Sequence, residues 1–191
     1  MPLSSAAPHK LIHTRQVECR GYHRDDGLWD IEGHLTDIKT YPFESESRGT
    51  VEPGDPVHEM WIRLTVDDSL IVQSIEAVTD KSPFPVCSAI TPNFQRVVGL
   101  SIRPGFLSRL RERLGGVEGC THLVELMGPI ATTAYQTIYP YRNRMKREAA
   151  PQKEARPTER PRLIDTCHAL KSDGDVVRRL WPEFYTGDVK G

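Results

Sequence analysis

The run His58-Glu-Met-Trp-Ile-Arg-Leu-Thr-Val66 decides the fold, because its side chains alternate between an apolar and a polar face. Strict alternation of this kind predicts a β-strand with one face buried. His58 is in phase with the apolar side of the strand. An imidazole that points toward a core makes His58 the first candidate for a functional residue.

Three further strands surround this run. Residues 11–22 and 29–36 flank an Asp-Gly pair, Asp26-Gly27, which tolerates the positive φ of a tight hairpin. Residues 41–56 contain three prolines and two glycines and are predicted to form a loop. A fourth strand is expected at about 70–79, after a polar turn. Four sequential strands indicate an antiparallel meander.

Helical signals follow the strands. Thr91-Pro92 is typical of a helix start, and the short helix is expected to end near Gly99. A second helix is predicted between Pro104 and the glycine pair at 115–116. A third begins near Thr121, and Gly128-Pro129 is expected to kink or interrupt it. A short final helix is predicted at 175–181. The fold class is therefore α+β, with about four antiparallel strands followed by three or four helices on one face.

The composition bounds the functional classes. With 191 residues the chain suffices for one domain, and 25 Lys+Arg nearly balance 26 Asp+Glu. With this balance the chain has no large net positive charge that would favour binding to nucleic acid or to an anionic membrane. The sequence has no apolar run of membrane-spanning length and no export signal, so a cytoplasmic, bacterial-type enzyme or binding protein is expected. A small-molecule substrate and a homo-oligomer are compatible with this composition.

The predicted layout is a flexible tail at 1–10, one α+β domain at 11–139, a linker at 140–162 and a C-terminal segment at 163–185 that returns to the same domain. The linker is rich in lysine, arginine and proline and almost lacks apolar residues. Such a segment buries too little surface to offset its chain entropy, so disorder is expected there.

Cysteine and histidine supply the candidate site. The four cysteines are far apart in sequence, which in a chain without an export signal indicates free thiols. Cys87 precedes the first helix, and Cys120 lies where the third helix begins, a position whose free amides favour a thiolate. His58, Cys87 and Cys120 are predicted to bind one zinc or iron ion, because imidazole and thiolate suit both metals. Cys167 is the preferred fourth ligand, with His168, His122 or an open position as alternatives.

If the fourth position is open, the metal could activate water, and His122 is the candidate acid/base because imidazole titrates near neutral pH. Each cysteine and His58 also has a structural reading as a packed core residue. The alternatives are an iron–sulfur or metal-trafficking scaffold, a metal-free enzyme with Cys120 as nucleophile and His122 or His168 as base, and a metal-free binding domain.

Two resemblances add to these interpretations. Residues 27–36, 119–123 and 165–169 resemble an uncharacterised bacterial family, domain of unknown function 2889, which implies no activity. Residues 58–138 are similar to the iron–sulfur cluster assembly scaffolds in their antiparallel strands, their Val-Asp-Asp turn and their cysteine before each of two helices. That likeness implies ligand roles for Cys87 and Cys120, and it places His58 where the scaffolds have a ligand aspartate. Their first ligand cysteine would fall near Pro56, which cannot bind a metal.

Overall fold

The computed structural model describes residues 3–149, 159–161 and 163–188. The chain divides into two compact units, Met1–Arg142 and Asn143–Gly191. The first unit contains the sheet and most of the helical residues. The second contains the end of the longest helix, which ends at Ala149, and one short helix.

A four-stranded antiparallel sheet forms the frame of the first unit. Its strands are β1 (His13–His23), β2 (Trp29–Lys39), β5 (Pro56–Val66) and β6 (Val72–Lys81), in the spatial order β1-β2-β5-β6. Between β2 and β5 a small hairpin forms from β3 (Phe43–Ser45) and β4 (Gly49–Val51). The sheet is a meander, since each long strand pairs with the next long strand along the chain.

Helical segments cover one face of the sheet. Consecutive 3-10 turns run over Pro85–Val97, and they are followed by α1 (Phe106–Leu114) and α2 (Thr121–Ala149). The buried side of α2 contains apolar residues at helical spacing, and these join the apolar faces of β2 and β5 in one core. Apolar burial of this kind is the main stabilising term of the unit.

Glycine allows α2 to approach the sheet closely. A Cβ at Gly33 of β2 would lie 2.7 Å from the Ile130 side chain, and a Cβ at Gly21 of β1 would lie 2.0 Å from Thr137. Both distances are shorter than a carbon atom permits, so the helix rests where the strands have no side chains. This contact fixes where α2 begins relative to the ends of the strands.

The α+β class and the antiparallel meander are confirmed. The loop predicted at 41–56 also contains the β3–β4 hairpin, which was missed because each strand has only three residues. Of the kink or interruption predicted at Gly128-Pro129, the interruption is wrong, since α2 continues through Pro129 and Pro140, and the kink stays a prediction. The amide that a proline lacks removes one hydrogen bond, and the core contacts of the same helix offset that loss.

The predicted linker at 140–162 begins inside α2, which extends to Ala149. Residues 150–158 and 162 of that linker lie outside the described residues. The second unit contains α3 (Asp175–Leu180) and short 3-10 turns at His168–Leu170 and Pro182–Phe184. Within it, the Asp165 carboxylate accepts a hydrogen bond from the Ser172 amide at 2.8 Å.

Candidate metal centre

A row of polar residues crosses three strands at one end of the sheet. In the strand register Asp37 of β2 lies opposite Arg15 of β1 on one side and opposite His58 of β5 on the other. Directly opposed residues project toward the same face of a sheet. That face is the one that the helices cover, because Asp37 alternates in phase with the buried Leu35.

The first turn of α2 brings His122 to this row. The His58 and His122 rings have their centroids 3.9 Å apart, and His122 Nε2 lies 3.9 Å from Asp37 Oδ2. His58 Nδ1 lies 3.0 Å from the same carboxylate oxygen. Two imidazoles therefore face one carboxylate oxygen, each from a different element.

Asp37 is the centre of the group. Its side chain is 1% exposed, and Asp37 and Thr65 are the buried polar residues within the described part of the chain. Oδ1 accepts hydrogen bonds from His13 Nε2 at 2.9 Å and Arg15 Nε at 2.8 Å. Oδ2 accepts one from Arg15 Nη2 at 2.8 Å and faces His58 Nδ1. Burial alone would raise the pKa of Asp37, but the bonds from Arg15 and His13 lower it to about 2.

Both histidines of the group favour the neutral form. Burial lowers the pKa of His58, and the neighbouring His122 lowers it further. Burial also lowers the pKa of His122, with a second contribution from the Arg15 cation. A neutral imidazole is the form that binds a metal ion, so both side chains are ready for ligation near pH 7.

These three residues could hold a metal ion. One ligand atom from each of Asp37, His58 and His122 lies within 4.8 Å of the other two. Ligand distances of about 2.0–2.2 Å to one ion place two ligand atoms roughly 3–4 Å apart. The 3.0 Å and 3.9 Å separations from Asp37 Oδ2 fall in that range. Two histidines and one carboxylate are the ligand set of catalytic zinc and non-haem iron sites.

The structure brings some of the predicted site residues together. His58 and His122 belong to the group, and the half-buried Cys120 has its Sγ 3.9 Å from His122 Nδ1. Nδ1 and Nε2 lie on different sides of the imidazole ring, so Cys120 contacts the nitrogen that does not face Asp37. Cys120 lies one residue before α2, which begins at Thr121.

Cys87 and Cys167 are the two remaining cysteines that the sequence predicts as metal ligands. Cys87 is half-buried in the 3-10 turns, where its amide donates to the Phe84 carbonyl at 3.1 Å. Cys167 is exposed in the second unit, one residue before the 3-10 turn that begins at His168. Metal ligation by Cys87 and Cys167 stays a prediction.

Asp37 is the residue that sequence reasoning missed. The strand predicted from the sequence ends at Thr36, whereas β2 extends to Lys39. The signal was present, because Asp37 continues the alternation of Trp29, Ile31, Gly33 and Leu35. It is the same signal that identified His58, a polar side chain in phase with an apolar strand face.

Comparison with known families identifies the family of this chain. The sequence model of the family described as "Protein of unknown function (DUF2889)" matches residues 13–136. The chain belongs to this family. No curated protein and no solved structure matches it. The matched range contains β1, β2, β5 and the start of α2, and thus Asp37, His58 and His122. In the described part of the chain, no helix has the length and apolar character needed to cross a bilayer.

Proposed function

We propose that this protein binds one divalent zinc or iron ion through Asp37, His58 and His122 and uses it to catalyse a reaction of a small molecule. The observation that carries the proposal is the convergence of two neutral imidazoles on one buried, ionised carboxylate. With three protein ligands, a catalytic site retains an open position for water or substrate.

In this proposal the ion binds at the Oδ2 side of the Asp37 carboxylate. A carboxylate has about four lone-pair positions, and those of Asp37 face two donors from Arg15, one from His13 and one nitrogen of His58. The ion would take the place of the proton between His58 Nδ1 and Oδ2, and the imidazole proton would move to Nε2. Arg15 and His13 would keep their bonds and hold the carboxylate in place.

The surrounding residues act as positioning groups in this arrangement. Arg15 spans Asp37 and Glu125, whose Oε2 accepts from Arg15 Nη1 at 2.9 Å. It therefore connects the carboxylate of β2 to the first turn of α2, the turn that presents His122. Cys120 would accept the Nδ1 proton of His122 and so orient the ring with Nε2 toward the ion. Outer partners of this kind commonly tune metal affinity by 10-fold to 100-fold.

The chemistry of such a site is hydrolysis or elimination. An ion with an open position lowers the pKa of bound water and polarises a carbonyl or phosphoryl oxygen. A ligand role for His122 replaces the acid/base role expected from the sequence, since the nitrogen that binds the ion cannot also transfer a proton. Glu125, which binds Arg15, is a carboxylate of the same helix that could accept a proton once Arg15 moves.

Calorimetric titration of the metal-free protein with Zn²⁺, and with Fe²⁺ without oxygen, tests the proposal. We expect one ion per chain, and an affinity that falls at least 100-fold in Asp37→Asn, about 3 kcal/mol. Glu32→Gln is the matched control, because it makes the same kind of change in a carboxylate of β2 that binds an arginine, Arg63, but lies on the other face of the strand. Equal Zn²⁺ binding by wild type and Asp37→Asn would refute the proposal.

A second candidate function is supported by the same contacts. Cys120, His122 and Asp37 form a chain in which Sγ faces Nδ1 at 3.9 Å and Nε2 faces the carboxylate at 3.9 Å. A nucleophile, a base and an acidic orienter in this order are the parts of a metal-free cysteine enzyme. Such contacts are commonly looser before substrate binds.

Alkylation of the metal-free protein separates the two functions. A cysteine nucleophile requires that iodoacetamide modifies Cys120 much faster than the exposed Cys167, and that His122→Gln abolishes the difference. The metal function instead requires that Cys120→Ala retains one ion per chain with a modestly weaker affinity. Fast alkylation of Cys120 together with no metal binding would favour the cysteine enzyme.

A further inference from the structure

The outer edge of β1 is open in the described structure. β1 is an edge strand of 11 residues whose side chains are almost all exposed, and its pairing with β2 has no bulge. It contains no proline, and none of its backbone groups bonds to a described residue outside the β1–β2 pair. Proteins normally shorten, bend or cover such edges, because an open edge pairs readily with another strand.

The alternation of hydrogen bonds between β1 and β2 shows which residues of β1 direct their backbone groups toward the open edge. The Arg24 amide donates to Leu28 O and the Thr40 amide donates to Ile12 O, so even-numbered residues of this hairpin bond across to β2. In an antiparallel pair these residues alternate with residues whose backbone groups point away. The amides and carbonyls of Val17, Cys19 and Gly21 therefore point outward from the sheet.

The sequence of β1 is complementary to itself in one register. Suppose that two copies pair antiparallel with Cys19 opposite Cys19. Glu18 of each copy then lies opposite Arg20 of the other, and both pairs are of the non-hydrogen-bonded type, in which the side chains are closer. Val17 then lies opposite Gly21, which has no side chain. A shift of the partner strand by two residues in either direction sets Glu18 against Glu18 or Arg20 against Arg20. Within one chain Arg20 already binds Glu18. The Cys19-centred register adds an opposite charge beside each of them, whereas the two neighbouring registers bring like charges together.

A groove beside β1 offers room for the second copy. It is lined by Val17 and Cys19 of β1, by Leu107 of α1 and by Gly128, Pro129 and Thr132 of α2. Val17 and Leu107 are large apolar residues with more than a third of their surface exposed. The residues that α2 contributes are small, and small residues permit the close approach of another backbone. The groove thus adjoins the same edge that the register analysis selects.

We propose that β1 pairs with β1 of a second copy about a two-fold axis at Cys19, so that the dimer has one sheet with four strands from each copy. The partner is another copy of this chain, because β1 of a copy supplies both an Arg20 opposite Glu18 and a Glu18 opposite Arg20. The proposed metal ligands Asp37, His58 and His122 lie on β2, β5 and α2, so none of them belongs to the strand that pairs.

Sedimentation equilibrium of the full wild-type chain and of a proline variant of it tests whether the open edge of β1 forms the dimer. Val17→Pro removes one outward amide but no hydrogen bond to β2, so the monomer should fold normally. We expect wild type to be a dimer and Val17→Pro to have a dissociation constant at least tenfold higher. A wild-type monomer at all concentrations, or an unchanged dimer in a folded Val17→Pro, would overturn the proposal.

A charge exchange tests the register without proline. Glu18→Arg alone and Arg20→Glu alone should each weaken the dimer, and the double variant Glu18→Arg/Arg20→Glu should restore it. Glu76→Arg is the matched control, because it reverses the same charge on β6 at the other edge of the sheet. If the double variant is as weak as the single variants, the Cys19-centred register is refuted.

Discussion

At the scale of single residues, Asp37 connects stability to function. Its carboxylate is buried, its charge is balanced by Arg15, and His13 and His58 lie within hydrogen-bond distance of its oxygens. A buried carboxylate that loses its partners is costly, whereas a paired one tolerates burial. The same requirement for a negative charge makes Asp37 an available ligand at neutral pH. A structural ion pair alone would not need two further imidazoles on the same oxygen.

The low pKa of Asp37 predicts a loss of stability in acid. Its pKa falls from 3.8 to about 2 on folding, so the unfolded chain binds this proton more tightly. The associated stability, roughly 2 kcal/mol, is fully present above about pH 4 and is lost as the pH falls through about 2. Urea unfolding of wild type and Asp37→Asn across this range measures it. The difference between the two proteins should shrink as the pH falls, and a constant difference would contradict the ion-pair assignment.

The histidines predict how metal binding depends on pH. Protons compete with the ion for His58 and His122, and burial lowers the pKa of both. We therefore expect Zn²⁺ affinity to be constant from neutral pH down to below the ordinary imidazole value of about 6.5, and then to fall. Zinc titrations at a series of pH values measure the midpoint. A midpoint above that value would mean that the two rings are not buried ligands.

Two residues of this candidate group were predicted from the sequence, and each prediction had a physical basis. His58 was found because one strand alternates cleanly, and His122 because it lies close to Cys120. Asp37 and Arg15 required the strand register, which depends on how two hairpins align and is not contained in either strand alone. The role of Cys120 required the ring orientation of His122, which is a property of the packed helix.

At the scale of elements, the contact between α2 and β2 positions His122. The sequence predicted that α2 begins near Thr121, but not that it passes over Gly33. Spacing within one helix indicates which side is buried, whereas the place where it crosses the sheet depends on side-chain volume in both elements. The continuation of α2 through two prolines also depends on tertiary contacts, because the core contacts of the helix outweigh the tendency of proline to end it.

Gly33→Val tests this contact. The added side chain would overlap Ile130 and Leu126, so we expect a loss of about 1–3 kcal/mol in the free energy of unfolding. Because the helix must move to relieve the overlap, Zn²⁺ affinity should fall as well. Thr36→Val is the matched control, since it adds the same residue to the opposite face of the same strand. Equal stability of the two variants would show that α2 does not rest on Gly33.

At the scale of the whole molecule, binding of an ion should stabilise the fold. The proposed ligands come from β2, β5 and α2, so an ion joins three elements that must all be in place. A ligand that binds only the folded state adds about 2.7 kcal/mol at 100 times its dissociation constant. Thermal unfolding should therefore shift upward with Zn²⁺ in wild type and Cys87→Ala, but much less in Asp37→Asn. An equal shift in all three proteins would indicate binding outside the proposed site.

The metal content of the protein purified without a chelating tag tests the central claim most directly. Elemental analysis should find about one zinc or iron per chain in wild type, the same content in Cys87→Ala, and a loss of most metal in His58→Ala and His122→Ala. The absence of a stoichiometric metal from wild type, together with no uptake of Zn²⁺ or Fe²⁺ by the metal-free protein, would contradict the account.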